Sequence, residues 1–344
     1  MTPFQSIDKP KIGITLGDLN GIGPEVVIKA LADQRLLSMI TPIVYGSTRV
    51  LSYYRKLMNL EELNYSQVKT KGQFLSKSIN VVNCWEDAIE INPGQPSKQT
   101  AHAAYLCLKK VVEESKEGLI DGFVTGPIDK NTIHSVEFPY RGHTEYLTEA
   151  FEAGQSLMLM VGNQLKVGLV TEHVPVKEIA SFITKERVEL KIRLLEMSLK
   201  KDFLISKPKI AVLGLNPHAG DEGLLGTEEN EIIRPVIAEL KNKGKVIFGP
   251  FPADGFFASG QYTKYDGILA MYHDQGLVAF KTLAFDDGVN FTAGLSVVRT
   301  SPDHGTAYNI AGRNLADESS MRQAIYMACD IVKNQQEQLI EKKV

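Results

Sequence analysis

The sequence predicts an α/β protein of two α/β/α domains, and three observations carry that expectation. Short apolar runs alternate with stretches of helical periodicity along the chain. Several of these runs stop abruptly at turns rich in glycine and polar side chains, the boundary at which open α/β sheets hold their ligands. Finally, 344 residues with 43% apolar content and 28 glycines suffice for two domains with sizeable cores, and nothing in the composition is disordered or fibrous.

Residues 12–16 form the first strand, which breaks at a glycine-rich turn, 17–25, before a helix through Val26, Val27, Ile28 and Leu31. Glycine supplies the φ freedom of a tight turn, and Pro24 suits the first turn of a helix whose N–H groups could face an anion. The spacing is neither Gly-x-Gly-x-x-Gly nor a Walker sequence, so alone it reads as an ordinary strand-to-helix turn. A second strand, 42–45, ends at Gly46-Ser47 and leads to a helix with Leu51, Tyr54 and Leu57. From Leu60 to Pro96 the pattern weakens, and Asn92-Pro93-Gly94-Gln95-Pro96 marks an irregular connection. Ser97 caps the next helix, with Ala101, Ala104, Leu108, Val111 and Val112 on one face and Gly118 as its stop; His102 within it is structural. Residues 121–125 make a strand that ends at the polar turn 126–130, where the hinge between domains is expected. In the following stretch, 141–147, Thr144 caps a helix or bonds a ligand, and His143 is a surface loop group or a ligand contact.

Three later strands end alike. Residues 166–171 run into Glu172-His173-Val174-Pro175, residues 210–215 into Asn216-Pro217-His218-Ala219-Gly220-Asp221, and residues 268–271 into Tyr272-His273-Asp274-Gln275-Gly276, read as an open loop. Singly, each histidine reads as a loop hydrogen-bonding group. At matching ends of a parallel sheet, the three imidazoles read together as ligands of one divalent metal with positions left open for substrate. Zinc, manganese and cobalt all suit such a shell. Between the last two histidines, Thr227-Glu228-Glu229 opens a helix with acids suited to its dipole, and strand 246–248 leads to a rigid loop, 249–255, bearing Asp254.

Further on come Lys281, Asn290 and Arg299, with Thr300, Ser301, Asp303, His304, Gly305 and Thr306 close behind. Such cationic and amide groups suit phosphate or carboxylate recognition. Lys281 and Arg299 sit among apolar residues such as Phe280 and Val298, unlike a solvated charge run. A surface helix from about Ser319 through Val332 closes the chain, with a polar tail that frays at Lys343.

Net charge is −3, from 38 basic and 41 acidic side chains, with no basic stripe, so neither nucleic acid nor an anionic membrane is an expected partner. Three cysteines without a Cys-x-x-Cys pair argue against a disulfide framework or thiolate zinc site, which fits a reducing cytoplasm. The amino-terminal residues 1–10 are too polar and short for a signal peptide, and no apolar run reaches the roughly 20 residues of a membrane helix.

Several motifs now occur in one order: Gly17-Asp18 through Gly21-Ile22-Gly23-Pro24-Glu25, Gly142-His143-Thr144-Glu145, Leu215-Asn216-Pro217-His218-Ala219-Gly220, Gly249-Pro250 through Ala253-Asp254, Tyr272-His273-Asp274-Gln275-Gly276, and Arg299-Thr300-Ser301 through Asp303-His304-Gly305-Thr306. Together they span nearly the whole chain and resemble the 4-hydroxythreonine-4-phosphate dehydrogenase family of pyridoxal phosphate biosynthesis. The first and last are also similar to motifs of isocitrate and isopropylmalate dehydrogenases, whose fold that family shares. Two stretches depart from the pattern: Val278-Ala279, and the loop Gly223-Leu224-Leu225-Gly226 after His218.

The resemblance implies an isocitrate/isopropylmalate dehydrogenase-like fold with its active site in the interdomain cleft and at a homodimer interface. It implies a cofactor-side domain of residues 1–127 plus 303–344 and a metal, substrate and dimer domain of residues 128–302. His173, His218 and His273 match the family's metal ligands, drawn from both chains; His143, Thr144, Lys281, Asn290 and Arg299 match its substrate contacts. Asp303, His304 and Gly305 match the loop that holds the adenosine end of NAD or NADP. The metal would be zinc, magnesium, cobalt or manganese. The implied reaction is oxidation of a small phosphorylated hydroxy acid followed by decarboxylation, with Asp254, Asp274, Lys281 or a metal-bound water as general base. Oxidation of erythronate or threonate 4-phosphate is the alternative within the family. A metal-dependent hydrolase or lyase is the alternative outside it, against which the turn 17–24 and the loop at His304 argue.

Overall fold

The computed structural model describes residues 9–135, 137–162, 165–284 and 287–341. The polar amino-terminal stretch through residue 8 and the tail residue Lys343 lie outside them. In chain order the elements are β1 (Lys11–Thr15), α1 (Gly23–Leu31), α2 (Gln34–Met39), β2 (Thr41–Gly46), α3 (Thr48–Leu57), β3 (Tyr65–Gln67), β4 (Ile79–Asn83), α4 (Lys98–Lys116), β5 (Gly122–Thr125), α5 (Lys130–Ile133) and α6 (His143–Ala150). Then follow β6 (Leu157–Gly162), β7 (Leu165–Leu169), α7 (Ile179–Phe182), α8 (Lys185–Lys201), β8 (Ile210–Leu213), α9 (Arg234–Asn242), β9 (Ile247–Phe251), α10 (Ala253–Ala258), β10 (Gly267–Ala270), α11 (His273–Leu283), β11 (Val289–Ala293), β12 (Val298–Pro302) and α12 (Ser319–Glu341).

Packing divides these into two compact units, residues 1–152 with 295–333 and residues 153–294 with 334–344. In the first, the strands run β3-β4-β2-β1-β5-β12, each parallel to its neighbour. β1, β2 and β5 are buried on both faces after Lys11, which is why they read as continuous apolar runs rather than alternating ones. Ser97 accepts the expected capping bond from Thr100 N–H, and Ser47 caps α3 in the same way by accepting from Arg49 N–H.

The second unit orders its strands β11-β6-β7-β10-β8-β9. β7, β10, β8 and β9 run parallel, while β6 pairs antiparallel with both β7 and β11. Met160, Val167, Leu169, Ala211, Leu213, Ile268, Ala270, Leu277 and Phe280 form its core. Gly276 lets α11 lie directly on β7: a Cβ there would come within 2.9 Å of Leu169 and Val167 side-chain carbons.

Several local expectations are revised. β3 and β4 occupy the stretch 60–96 whose pattern is weak, because β4 is only five residues long and lies next to the edge. Residues 249–251 continue β9 rather than forming a loop, and Asp254 lies in the first turn of α10. His273 does not sit in an open loop but begins α11, with Tyr272 extended before it. Among the described residues, no helix is long and apolar enough to cross a membrane.

Candidate active site

In the second unit, β10 lies between β7 and β8, parallel to both, so the chain leaves all three strands at the same edge. His173, His273 and His218 follow those strand ends in that spatial order. Thr171 fastens two of the exits: its N–H donates to Met271 O at 3.1 Å and its Oγ1 to the same oxygen at 2.8 Å. The His173 and His273 rings consequently neighbour each other, with centroids 5.8 Å apart and planes at 40°. His273 Nδ1 is 2.7 Å from Asp274 Oδ1.

His218 is presented differently, from an exposed turn in which its φ is 53°. Among the described residues, no group of three or more His, Cys, Asp or Glu side chains is drawn together closely enough to hold a metal. One chain therefore brings His173 and His273 together and leaves His218 outside that pair. Two adjacent imidazoles, one with its Nδ1 engaged by a carboxylate and its Nε2 directed elsewhere, are the donor chemistry of a divalent-metal site, so the residues present fit such an ion.

Arg299, His143 and Thr144 belong to the first unit. Arg299 lies in β12 beside β5, only 2% exposed, and its Nε and Nη2 donate to Thr125 Oγ1 at 3.2 and 2.5 Å. Burial pulls its pKa down to about 9, which leaves it cationic at neutral pH. Desolvation, reinforced by the Arg299 and Lys130 charges, holds the His143 imidazole well below its usual pKa, so it is neutral there. His143 opens α6, and Gly142, not Thr144, occupies the N-cap position. Buried Phe138 packs on Tyr105, Tyr140 and Tyr146, with ring centroids 5.3–5.8 Å apart, and so braces the start of that helix.

Lys281 and Asn290 belong to the second unit. Lys281 is exposed on α11; Asn290, in β11 opposite Met160, has a buried Oδ1 with no hydrogen-bond partner among the described residues. That oxygen is an acceptor suited to a ligand N–H or O–H.

Asp303, His304 and Gly305 lie in a loop anchored at both ends: Asp303 N–H donates to Ser320 Oγ at 3.0 Å, and Ile22 N–H donates to Thr306 O at 2.9 Å. The second bond answers the question raised by turn 17–24, where Gly17 has φ 70°. The N–H of Ile22, the N-cap residue of α1, is thus satisfied by the protein. Gly305 is exposed, with no neighbouring atoms where a Cβ would stand.

Three residues that structure brings forward went unread as functional. Thr125 is the acceptor for Arg299, 174 positions away in sequence. Gln275 bridges two strand exits, accepting from Met271 N–H at 2.7 Å and donating to Gly214 O at 2.6 Å. Glu229, read as a helix-dipole acid, instead binds the backbone before His218. A polar residue ending an otherwise apolar strand was the available signal for Thr125; the other two depend on tertiary packing.

Comparison with known proteins gives a consistent result. The family model for pyridoxal phosphate biosynthetic protein PdxA matches residues 38–328. The 4-hydroxythreonine-4-phosphate dehydrogenase of Bacteroides thetaiotaomicron is 52% identical over 330 residues, 96% of this chain and 90% of that protein. An Oceanobacillus iheyensis protein provisionally named D-threonate 4-phosphate dehydrogenase is 37% identical, over 94% of this chain and 98% of that one. The crystal structure of 4-hydroxythreonine-4-phosphate dehydrogenase from Klebsiella pneumoniae superposes with a TM-score of 0.81 at 33% identity, covering 95% of this chain and 99% of that one. The fold alone extends to isocitrate dehydrogenase from Methylococcus capsulatus, at 14% identity and a TM-score of 0.50, over 97% of this chain and 89% of that one.

Proposed function

The chain belongs to the pyridoxal phosphate biosynthetic protein PdxA family, and on that premise we propose that it is an NAD- or NADP-dependent, divalent-metal-dependent dehydrogenase of 4-phosphohydroxy-L-threonine. The C3 hydroxyl would be oxidised to a ketone, giving 2-amino-3-oxo-4-phosphooxybutanoate; a bound nicotinamide would supply the acceptor for the C3 hydride, and the hydroxyl proton would pass to a base. This β-keto acid loses carbon dioxide to give 3-amino-2-oxopropyl phosphate, on the way to pyridoxine 5'-phosphate in the cytoplasm.

The observation that carries the reading is the neighbouring His173 and His273 pair at adjacent parallel strand ends, in a chain 52% identical to a dehydrogenase of that name. His173, His218 and His273 are the proposed ligands of zinc, magnesium, cobalt or manganese, contributed by both chains of a homodimer, which agrees with one chain pairing only two of them. When bound, the metal supplies Lewis acidity at the C3 oxygen and at the carbonyl it becomes. Arg299 and Lys281 are the cations for phosphate and carboxylate, and they fix which hydroxyl is presented. Neutral His143 and the Thr144 hydroxyl hydrogen-bond the substrate, and Asn290 Oδ1 accepts from one of its donors. Asp303, His304 and Gly305 hold the adenosine end of the cofactor. Asp254, Asp274 and Lys281 are the side-chain candidates for the base, and Asp274 is also engaged with His273.

A second reading, oxidation of D-erythronate or D-threonate 4-phosphate, is favoured by the Oceanobacillus relative. Both differ from 4-phosphohydroxythreonine at C2, hydroxyl against amino. Purified protein with added metal, NAD or NADP and each phosphate in turn, followed at the absorbance of the reduced nicotinamide, decides between them. The proposal expects kcat/KM at least about tenfold higher for 4-phosphohydroxythreonine, a ~1.4 kcal/mol preference. The reverse order establishes the second reading, and no reduction of either nicotinamide with any substrate removes both.

A further inference from the structure

His218 is carried on an unusual piece of backbone. Five successive residues, His218, Ala219, Gly220, Asp221 and Glu222, have φ of 53°, 52°, 84°, 42° and 55°. Four of them are not glycine, and an L-residue in this left-handed region crowds its Cβ against the following carbonyl, so a consecutive run is unfavourable unless its surroundings impose it. The run sits in the second unit, between β8 and a π-helical turn, Glu229–Ile233, that leads into α9.

The turn packs against Glu229. This carboxylate is 1% exposed, and its Oε1 accepts from both Leu215 N–H and Asn216 N–H at 2.7 Å. Its Oε2 accepts from Asn216 Nδ2 at 3.0 Å, and the same amide donates to Glu228 Oε2 at 2.8 Å. Asn216 O in turn accepts from Ala219 N–H at 3.1 Å, and Gly220 O from Leu225 N–H at 3.1 Å, which close the turn. Gly220 lies against the carboxylate so tightly that a Cβ would stand 2.6 Å from Glu229 Oε2. A buried carboxylate held by two backbone amides at Oε1 and a side-chain amide at Oε2 is a rigid anchor, because losing the latter would leave Oε2 buried and unpaired.

We propose that Glu229 is a positioning residue for His218: its buried carboxylate holds residues 218–222 in the left-handed turn and so fixes the direction in which the imidazole meets a divalent metal. This rests on the reading of His218 as a metal ligand. Both Glu229 oxygens are engaged by the 215–216 N–H groups and the Asn216 amide, through which its effect is transmitted.

The test uses full-length protein stripped of metal by chelation and titrated with Co2+, reading the dissociation constant and the visible absorption of the bound ion for wild type, His218→Ala and Glu229→Gln. In Glu229→Gln one oxygen becomes an NH2 facing the Asn216 amide, donor against donor. The expected result is Co2+ binding about 10–100-fold weaker than wild type, the range found when partners behind metal ligands are removed, with a changed absorption band and unchanged far-ultraviolet circular dichroism. Wild-type affinity and band in folded Glu229→Gln overturn the proposal. Should Glu229→Gln not fold, Asn216→Ala decides: it keeps the two amide bonds, so a smaller weakening of Co2+ binding supports the anchor and wild-type values overturn it. Failure of the underlying reading looks different, since His218→Ala would then bind Co2+ as wild type does.

Discussion

His273 Nδ1 and Asp274 Oδ1 stand 2.7 Å apart, a bond between sequence neighbours in the first turn of α11. The contact supports an orienting role for Asp274, beside the role of base that the family resemblance implies for it. With Nδ1 engaged, Nε2 is the nitrogen left to face a ligand, and the carboxylate fixes the orientation of the ring. The Asp274 side chain is 78% exposed, so it holds no core together.

Asp274→Ala is accordingly expected to weaken metal binding about 10–100-fold while changing folding stability by less than about 0.5 kcal/mol. Metal competition titration and urea denaturation on the same preparation check this. An unchanged dissociation constant would show that the carboxylate does not orient the ring.

The placement of the histidines was legible because each follows a run of apolar residues that stops at a polar cluster, and such runs are buried parallel strands. The grammar of β7, β8 and β10 therefore carried through to adjacent parallel strands in the structure. β6 was not legible in the same way: Leu157–Gly162 is apolar throughout, which periodicity cannot separate from a buried helix, and its antiparallel pairing depends on β11 more than a hundred residues on. The left-handed turn from His218 to Glu222 was equally hidden, since Ala219 and Glu222 do not favour positive φ and the neighbouring Glu229 contacts are tertiary.

Thr125 supplies one oxygen to two N–H groups of buried Arg299. Thr125→Val keeps the side chain's shape and removes that acceptor, so it is expected to destabilise by about 1–3 kcal/mol, the usual cost of leaving a buried polar group short of a partner. Denaturant midpoints at fixed pH measure it. The same variant should raise KM for the phosphorylated substrate more than it lowers kcat, because the guanidinium loses its fixed direction. A stability loss below about 0.3 kcal/mol would show that the remaining contacts of Arg299 suffice.

His143 gives the fold a pH dependence of definite sign. Its folded pKa is depressed, chiefly by desolvation and then by the Arg299 and Lys130 charges, while the unfolded chain titrates near 6.5. Below about pH 6.5 the unfolded state takes up a proton that the folded state resists, so the stability present above that pH is lost as pH falls toward the folded value. His143→Gln removes the titration. Between pH 7.5 and 5.5 the variant should lose less stability than wild type in urea denaturation; parallel losses would mean that other groups set the slope.

Asp18 has the opposite linkage and yields the last prediction. It is 1% exposed, with Oδ1 accepting from Asn20 N–H at 2.9 Å and Thr100 Oγ1 at 3.2 Å, while Oδ2 is buried without a well-formed bond beside the similarly unsatisfied Tyr308 hydroxyl. Burial raises the carboxyl's pKa above 3.8 against the lowering effect of those hydrogen bonds. A raised acid holds its proton longer in the folded state, so its stabilising contribution is complete below pH 3.8 and is lost as pH rises through the folded value. The burial that raises the pKa therefore costs stability once the pH is above the folded value. Asp18→Asn keeps the Oδ1 acceptor and puts an N–H donor where Oδ2 was, facing the Tyr308 oxygen. Folding stability at pH 7.5 should rise by roughly 1 kcal/mol, and the gain should shrink as the pH is lowered. A variant less stable than wild type at pH 7.5 would show that the charged carboxylate is worth more to the turn than its burial costs.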